Sequence, residues 1–334
     1  MDVQCTTTPE DRRPATADLS VVLSTYNRGA LLKNALDRLL LQETSGIDYE
    51  ILIVDNNSSD DTKQVVLSYI ERDVHFRYIF EPRQGLSFAR NAGIAAARSD
   101  LIVFCDDDVE VSPTWLQKNY DASVRFPEAD YIGGRVLPIW SGPVPAWVKR
   151  TMAPFALSDL GDDALIVSPA KPHCLVGASL AVRRRALTKA GLFSIETQRV
   201  KNEIGSTEDF DWQIKVWAYG GHGVYVPDIV CKTEVPRDRL SKSYHRRWHL
   251  GHGKFNAIAR RPQWDGDRRL LGVPAFMYRQ ALEATFEFVK FLLRGKRAEA
   301  FESEMNFLFY VGFVRHRWKI ELLGTSGAPA TEPY

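Results

Sequence analysis

From residue 19 onward, short apolar runs alternate with stretches of helical spacing. LSVVLS (19–24), YEILIVD (49–55), FRYIFEP (76–82) and DLIVFCDDD (100–108) are apolar, β-branched runs that each end in polar or turn residues. Between them, ALLKNALDRLLLQ (30–42) sets Leu31, Leu32, Ala35, Leu36, Leu39 and Leu40 at helical intervals. DDTKQVVLSYI (60–70) and GLSFARNAGIAAA (85–97) read as helices too. Strands this continuously apolar, separated by helices, predict an α/β fold: a mainly parallel sheet covered on both faces. Such sheets bind ligands beyond the carboxyl ends of their strands. Thr25, Asp55, Pro82 and the acidic residues 106–108 are therefore expected to line one site.

After about residue 125 the pattern loosens. Seven prolines between 127 and 172 break it into what reads as loops shaping a cleft. CLVGASLAVRRRALTKAG (174–191) reads as a strand running into a helix, and STEDFDWQIKVWAYGG (206–221) as a helix capped by Ser206 and ended by Gly220. HGVYVPD (222–228) reads as the last strand, and the chain beyond 241 as helices. The expected organisation is a tail over 1–17, an α/β domain over 18–240, a helical region over 241–322 and a second tail over 323–334.

Composition narrows the function classes. Forty-three Lys and Arg against 42 Asp and Glu leave a net charge of +1, which does not point to a nucleic-acid partner. Cys5, Cys105, Cys174 and Cys231 form no CxxC pair and suit a reducing compartment. The polar N-terminal stretch lacks the apolar segment of a signal peptide, and no run reaches the roughly 18 apolar residues of a membrane span. The expected location is the cytoplasm, or the inner face of a membrane as a peripheral protein.

Three constellations carry candidate chemistry. Asp106, Asp107 and Asp108 end a buried strand, where adjacent carboxylates repel unless they meet solvent, a cationic side chain or a divalent cation. A solvated turn is the alternative. Hard oxygen ligands at a ligand-binding edge favour Mg²⁺ or Mn²⁺. Glu208 and Asp209 open a helix; they either complement its dipole or include a base for an attacking hydroxyl. Arg90, on a helix of small residues, and Arg83 nearby are candidates for meeting an anion.

Taken in order, VVLSTYNR (21–28), IVDNNSSDDT (53–62), GLSFARNAG (85–93), FCDDD (104–108), GASLAVRRRAL (177–187) and EDFDWQIKV (208–216) resemble the family-two nucleotide-sugar glycosyltransferases with the GT-A fold. The resemblance, over about residues 18–240, implies a Rossmann-like sheet, to which the helical pattern beyond 241 adds a C-terminal extension, and an inverting transfer from a nucleoside-diphosphate sugar to a hydroxyl acceptor, in cell-surface polysaccharide or glycolipid assembly. It also implies residue roles. Thr25, Tyr26 and Arg28 contact the nucleotide, Asp55 the base, and Arg90 the nucleotide or its phosphates. Asp106 and Asp108 match the outer residues of a DxD motif, Asp108 on the metal and Asp106 on the ribose or the same metal, with Asp107 between them in the nucleotide-sugar site. Asp209 is the implied catalytic base and Glu208 orients the acceptor, while Gly177, Ala178 and Ser179 line the acceptor side.

Two departures stand out. Lys232 occupies the place where relatives often carry a His before VPRDRL (235–240), so Lys232 is a candidate diphosphate contact. Tyr244 replaces the Gln of a QxxRW motif that Arg247 and Trp248 echo, so processive polymerisation is not expected. Residues 237–269 hold ten Lys and Arg and three Asp, +7 against −6 for the rest of the chain. That asymmetry suggests an anionic partner: the donor diphosphate, a lipid-linked acceptor or a membrane surface. His245, His249 and His252 share a helical face, and the apolar stretches near 281–293 and 305–314 suggest core packing, a homodimer or membrane contact. A dehydrogenase would need G-x-G-x-x-G after the first strand, which is absent. A catalytically silent nucleotide-sugar scaffold and a sugar-phosphate nucleotidyltransferase are the alternatives.

Overall fold

A computed structural model describes residues 17–201, 203–259 and 268–323. The expected tails lie almost wholly outside the described residues, as do Arg260, Arg261, Asp265 and Asp267 of the basic segment. The chain forms two compact units. Among the described residues, one is drawn from 17–139, 156–193 and 212–234, the other from 140–155, 194–211 and 235–323.

The first unit is the α/β body. Its elements in chain order are β1 (Leu19–Thr25), α1 (Gly29–Leu40), β2 (Tyr49–Asp55), α2 (Thr62–Ile70), β3 (Phe76–Phe80), α3 (Leu86–Ala96), β4 (Leu101–Asp106), β5 (Val109–Val111), α4 (Trp115–Arg125) and β6 (Tyr131–Trp140). They continue with β7 (Leu165–Val167), β8 (Ser179–Arg183), α5 (Arg184–Ala190), α6 (Glu208–Ala218) and β9 (Gly223–Val235). The strands make one nine-stranded sheet in the order β3-β2-β1-β4-β8-β6-β9-β5, with β7 against β9. The pairs among β3, β2, β1 and β4 are parallel, and β8 continues the sheet antiparallel to β4.

Alternation along each central strand feeds two cores. Val21, Leu23, Ile51, Ile53 and Val103 pack with Leu32 and Leu36 of α1, Val66 of α2 and Trp115 of α4. Val22, Leu52, Val54, Ile102 and Phe104 pack with Ala89 and Ile94 of α3, Leu187 of α5 and Trp212 of α6. Both faces are covered, which is why these strands read as unbroken apolar runs. The small residues of α3 serve the sheet: a Cβ on Gly93 would lie 2.3 Å from Val22 Cγ1.

The region expected to be irregular contains β6, ten residues long. β9 also runs seven residues past the expected end of the last strand, to Val235. Helix α6 starts at Glu208, so the residue before it is Thr207 and not the expected cap Ser206.

In the second unit, α7 (Lys242–Ile258), the small antiparallel pair β10 (Arg269–Leu270) and β11 (Val273–Pro274), α8 (Ala275–Leu293) and α9 (Arg297–Leu323) confirm the helical C-terminal reading. Helices α7 and α9 meet at glycines. A Cβ on Gly253 would lie 2.1 Å from the Phe309 carbonyl oxygen, and one on Gly312 would lie 2.2 Å from that of Leu250. Among the described residues no helix is long and apolar enough to cross a membrane.

Candidate active site

The parallel register brings the expected residues to one edge. Thr25 pairs with Asp55, Asp55 with Phe80, and Ser24 with Asp106, so β1, β2, β3 and β4 end side by side. Beyond β4 the chain turns over Asp107 and Asp108 into β5. The three carboxylates then separate by environment. Asp107 points inward, 5% exposed, and accepts hydrogen bonds from the Thr25 hydroxyl at 2.8 Å and from Arg28 Nη1 at 2.9 Å. Asp106 and Asp108 keep more of their side chains open, at 32% and 18%. Arg28 Nη1 also reaches Asp108 Oδ2 at 3.2 Å.

Burial is the dominant influence on the Asp107 carboxyl, pushing it up to about 6. Arg28 opposes this and Asp108 adds to it. Arg28 responds in the opposite sense: Asp107 above all holds its guanidinium well above the ordinary value. The middle carboxylate thus spends both its oxygens inside the protein and sets the pose of Thr25 and Arg28, while its neighbours face outward.

Arg90 is 3% exposed, with Nη2 3.6 Å from Asp106 Oδ1 and its guanidinium near the rings of Phe104 and Phe193. The anion Arg90 meets within the chain is thus the Asp106 carboxylate of the acidic strand end. Arg83 instead forks onto Glu81 at 2.9 and 3.0 Å and lies over Phe88.

Asp55 is buried. Its Oδ1 accepts the Ser58 N–H at 2.9 Å and its Oδ2 accepts the Tyr78 hydroxyl at 2.8 Å. Tyr78 had no signal in the sequence, since it sits inside β3 and not at its end. The role of Asn56 has no sequence signal either: its side chain donates to the carbonyls of Glu81 and Arg83 and accepts the Gly85 N–H, tying the loops after β2 and β3 together. Tyr26, half-buried, follows directly after β1. Cys105 pairs with Ser179, so Ala178 and Gly177 stand beside the acidic turn. Lys232 is exposed and lies across from Glu110, which pairs with Arg38.

A divalent cation fits this donor set in one way only. Among the described residues no three His, Cys, Asp or Glu side chains are gathered to hold a metal. Asp106 and Asp108 could supply two hard oxygens, and a bound diphosphate and water would have to supply the rest, as suits Mg²⁺ or Mn²⁺.

Glu208 and Asp209 open α6, whose first turn, up to Asp211, is grouped with the second unit while the rest of the helix belongs to the first. Glu208 is buried and Asp209 half-buried. The preceding loop is braced by α7. A Cβ on Gly205, at φ +86°, would lie 2.5 Å from the His252 amide nitrogen, and one on Gly251 would lie 2.3 Å from the Ile204 carbonyl oxygen. Trp248 stacks on His252, whose Nδ1 is 3.1 Å from the Gly205 carbonyl oxygen. Arg247, beside it, is exposed. His245 is buried among Trp147, Phe155 and Phe301. The shared face of His245 and His252 is thus used in packing. Later in α6, Trp212 donates to the Gly191 carbonyl, and Gln213 holds both backbone groups of Leu175.

Comparison with known proteins places this edge in a family. A validoxylamine A glucosyltransferase from Streptomyces hygroscopicus subsp. limoneus is 40% identical over 101 residues, 30% of this chain and 22% of the relative. A GalNAc(5)-diNAcBac-PP-undecaprenol β-1,3-glucosyltransferase from Campylobacter jejuni is 37% identical over 95 residues, 28% of this chain and 30% of the relative. The chain therefore spans less than a third of the length of either. Residues 1–349 of Staphylococcus aureus TarS, solved with UDP, share the fold at TM-score 0.52 and 17% identity, over 92% of both chains. The mannosyltransferase PcManGT from Pyrobaculum calidifontis, solved with GDP-Man and Mn²⁺, shares it at TM-score 0.51 and 16% identity, over 95% of this chain and 77% of that one. The model of glycosyl transferase family 2 matches residues 20–191, which hold Thr25, Arg28, Asp55, Arg90 and the acidic turn; the chain belongs to glycosyl transferase family 2.

Proposed function

We propose that the protein is an inverting glycosyltransferase that moves a sugar from a nucleoside-diphosphate donor to a hydroxyl acceptor with the help of Mg²⁺ or Mn²⁺. The observation that carries this reading is the shared edge of β1, β2 and β4. There, two arginines and two outward carboxylates stand beside a buried carboxylate within the family-matched segment. Two cationic side chains suit a diphosphate, since a guanidinium can meet a phosphate with two parallel N–H donors. Asp55, held by Tyr78 and the Ser58 amide, presents its remaining lone pairs to the donor base. Tyr26 and Thr25 complete the nucleotide side, and Asp107 works behind them as their positioning group.

Asp106 and Asp108 would hold the cation, whose chemistry when bound is to neutralise charge building on the departing diphosphate. Asp209 accepts the proton of the acceptor hydroxyl, whose oxygen then attacks the anomeric carbon as the nucleoside diphosphate leaves from the opposite face. Glu208 orients the acceptor, and Gly177 and Ala178 border it; Lys232, Arg247 and Trp248 are further contacts for acceptor or phosphate. The Campylobacter relative's name specifies an undecaprenol-diphosphate-linked acceptor. With the excess of positive charge over 237–269, this supports a lipid-linked acceptor in cell-surface polysaccharide or glycolipid assembly, met from the cytoplasmic side.

The test is turnover of UDP-, GDP- and dTDP-sugars with and without Mn²⁺, with Asp209→Asn alongside. Donor-dependent turnover is expected, and Asp209→Asn should lower it by about 10²–10⁴-fold while nucleotide affinity stays. Undiminished turnover in Asp209→Asn would remove Asp209 from the role. Binding without turnover or hydrolysis of any donor would favour the silent scaffold.

A further inference from the structure

Helix α8 covers one face of α9, through Gln280 with Tyr310 and Tyr278 with Trp318, and Met277 is its one buried residue among those described. Its other face carries a continuous apolar stripe. Leu282 is 71% exposed, Phe286 68%, Val289 47% and Leu293 84%, with Leu292 beside them at 49%. The spacing of 282, 286, 289 and 293 is four, three, four, which is the seam of a two-helix coiled coil and not the wider stripe of a core helix.

We propose that this stripe pairs antiparallel with the α8 stripe of a second copy, making the protein a homodimer. Charge selects the occupant. In an antiparallel pairing, Leu282 meets Leu293 of the second copy and Phe286 meets its Val289, and each layer recurs by the two-fold. The flanking positions on one side then set Glu283 against Lys290 of the second copy, twice. On the other side Thr285 meets Leu292. A parallel pairing would set Lys290 beside Thr285 and Glu283 beside Tyr278, with no charge pair. A second copy brings an opposite charge, Lys290, to Glu283, which an anionic lipid surface does not. In the single chain, Glu283 pairs with Arg279 at 3.6 Å and Lys290 with Glu287 at 2.7 Å. Such exposed pairs within one helix contribute little, so re-pairing across the seam costs little. The seam spans about 16 Å at 1.5 Å per residue, which makes a concentration-dependent dimer and not an obligate one.

Sedimentation equilibrium over a concentration series tests this, reading mass and not turnover, so its outcome is separate from that of the proposed activity. The mass should rise from 37.8 kDa toward twice that value. Phe286→Glu should stay monomeric at every concentration with an unchanged thermal melt, since the position is exposed. Glu283→Lys alone and Lys290→Glu alone should each weaken association about tenfold, and the double exchange should restore it. A wild-type chain that stays monomeric overturns the proposal. If it then floats with phosphatidylglycerol vesicles, the stripe belongs to lipid. If it dimerises only after removal of residues 1–16 or 324–334, that segment is its occupant. A double exchange that fails to restore association overturns the antiparallel pairing.

Discussion

Gly251→Ala tests whether α7 positions the carboxylate pair at the start of α6. The added Cβ would stand 2.3 Å from the Ile204 carbonyl oxygen, against the 3.4 Å or more of an ordinary contact, so about 1 Å of separation must be found. Helix α7 has little room to retreat. On its other side Gly253 and Gly312 bring its backbone against that of α9, with no space for even a methyl group. The loop over 204–207 is therefore the part that moves, and it leads straight into Glu208 and Asp209. Overpacking of this kind costs about 1–3 kcal/mol of stability. A displacement of about 1 Å at a reacting group costs on the order of 10²-fold in rate. The expected result is a kcat lowered 10–100-fold, a modestly lowered Tm and an unchanged Kd for the donor nucleotide, read by steady-state kinetics, thermal melts and calorimetry. A kcat within twofold of wild type would refute the bracing role, and parallel loss of kcat and nucleotide binding would mean general unfolding.

Three further outcomes are expected. His249 is pushed down to about 4, first by burial and then by His252 and His245, so its neutral form is favoured in the folded chain. The unfolded chain binds the extra proton between about 6.5 and 4, so stability holds above that window and is lost as pH falls through it. The loss is up to about 3 kcal/mol, and His249→Gln should flatten the pH profile of the melt. Asp108→Asn should abolish the Mn²⁺-dependent part of the thermal shift given by a nucleoside diphosphate; a retained Mn²⁺ effect would move the cation elsewhere. Tyr78→Phe leaves Asp55 short of one donor and should cost about 1–3 kcal/mol or weaken nucleotide binding correspondingly, whereas an unchanged melt and Kd would show that solvent replaces the phenol.

What the sequence alone determined about this protein is whatever rests on short-range pattern. Continuous apolar runs and helical spacing located β1 to β4 and α1 to α3 within a few residues, because burial on both sheet faces leaves a signature inside each segment. The parallel order then requires their carboxyl ends to coincide, which puts Thr25, Asp55 and the acidic turn at one edge. β6 escaped because Gly133, Gly134 and Pro138 disrupt its pattern. It forms because those glycines admit Leu175 and Ile229 at distances no Cβ would allow, a reason that lies in residues far along the chain. Which of three identical aspartates turns inward could not be read from DDD; it depends on Arg28 and Thr25 lying across the turn. The Tyr78 bond to Asp55, the Gly205 and Gly251 contact, and the bare stripe on α8 likewise depend on contacts between distant residues or on which helix face stays open, and only the tertiary structure decides those.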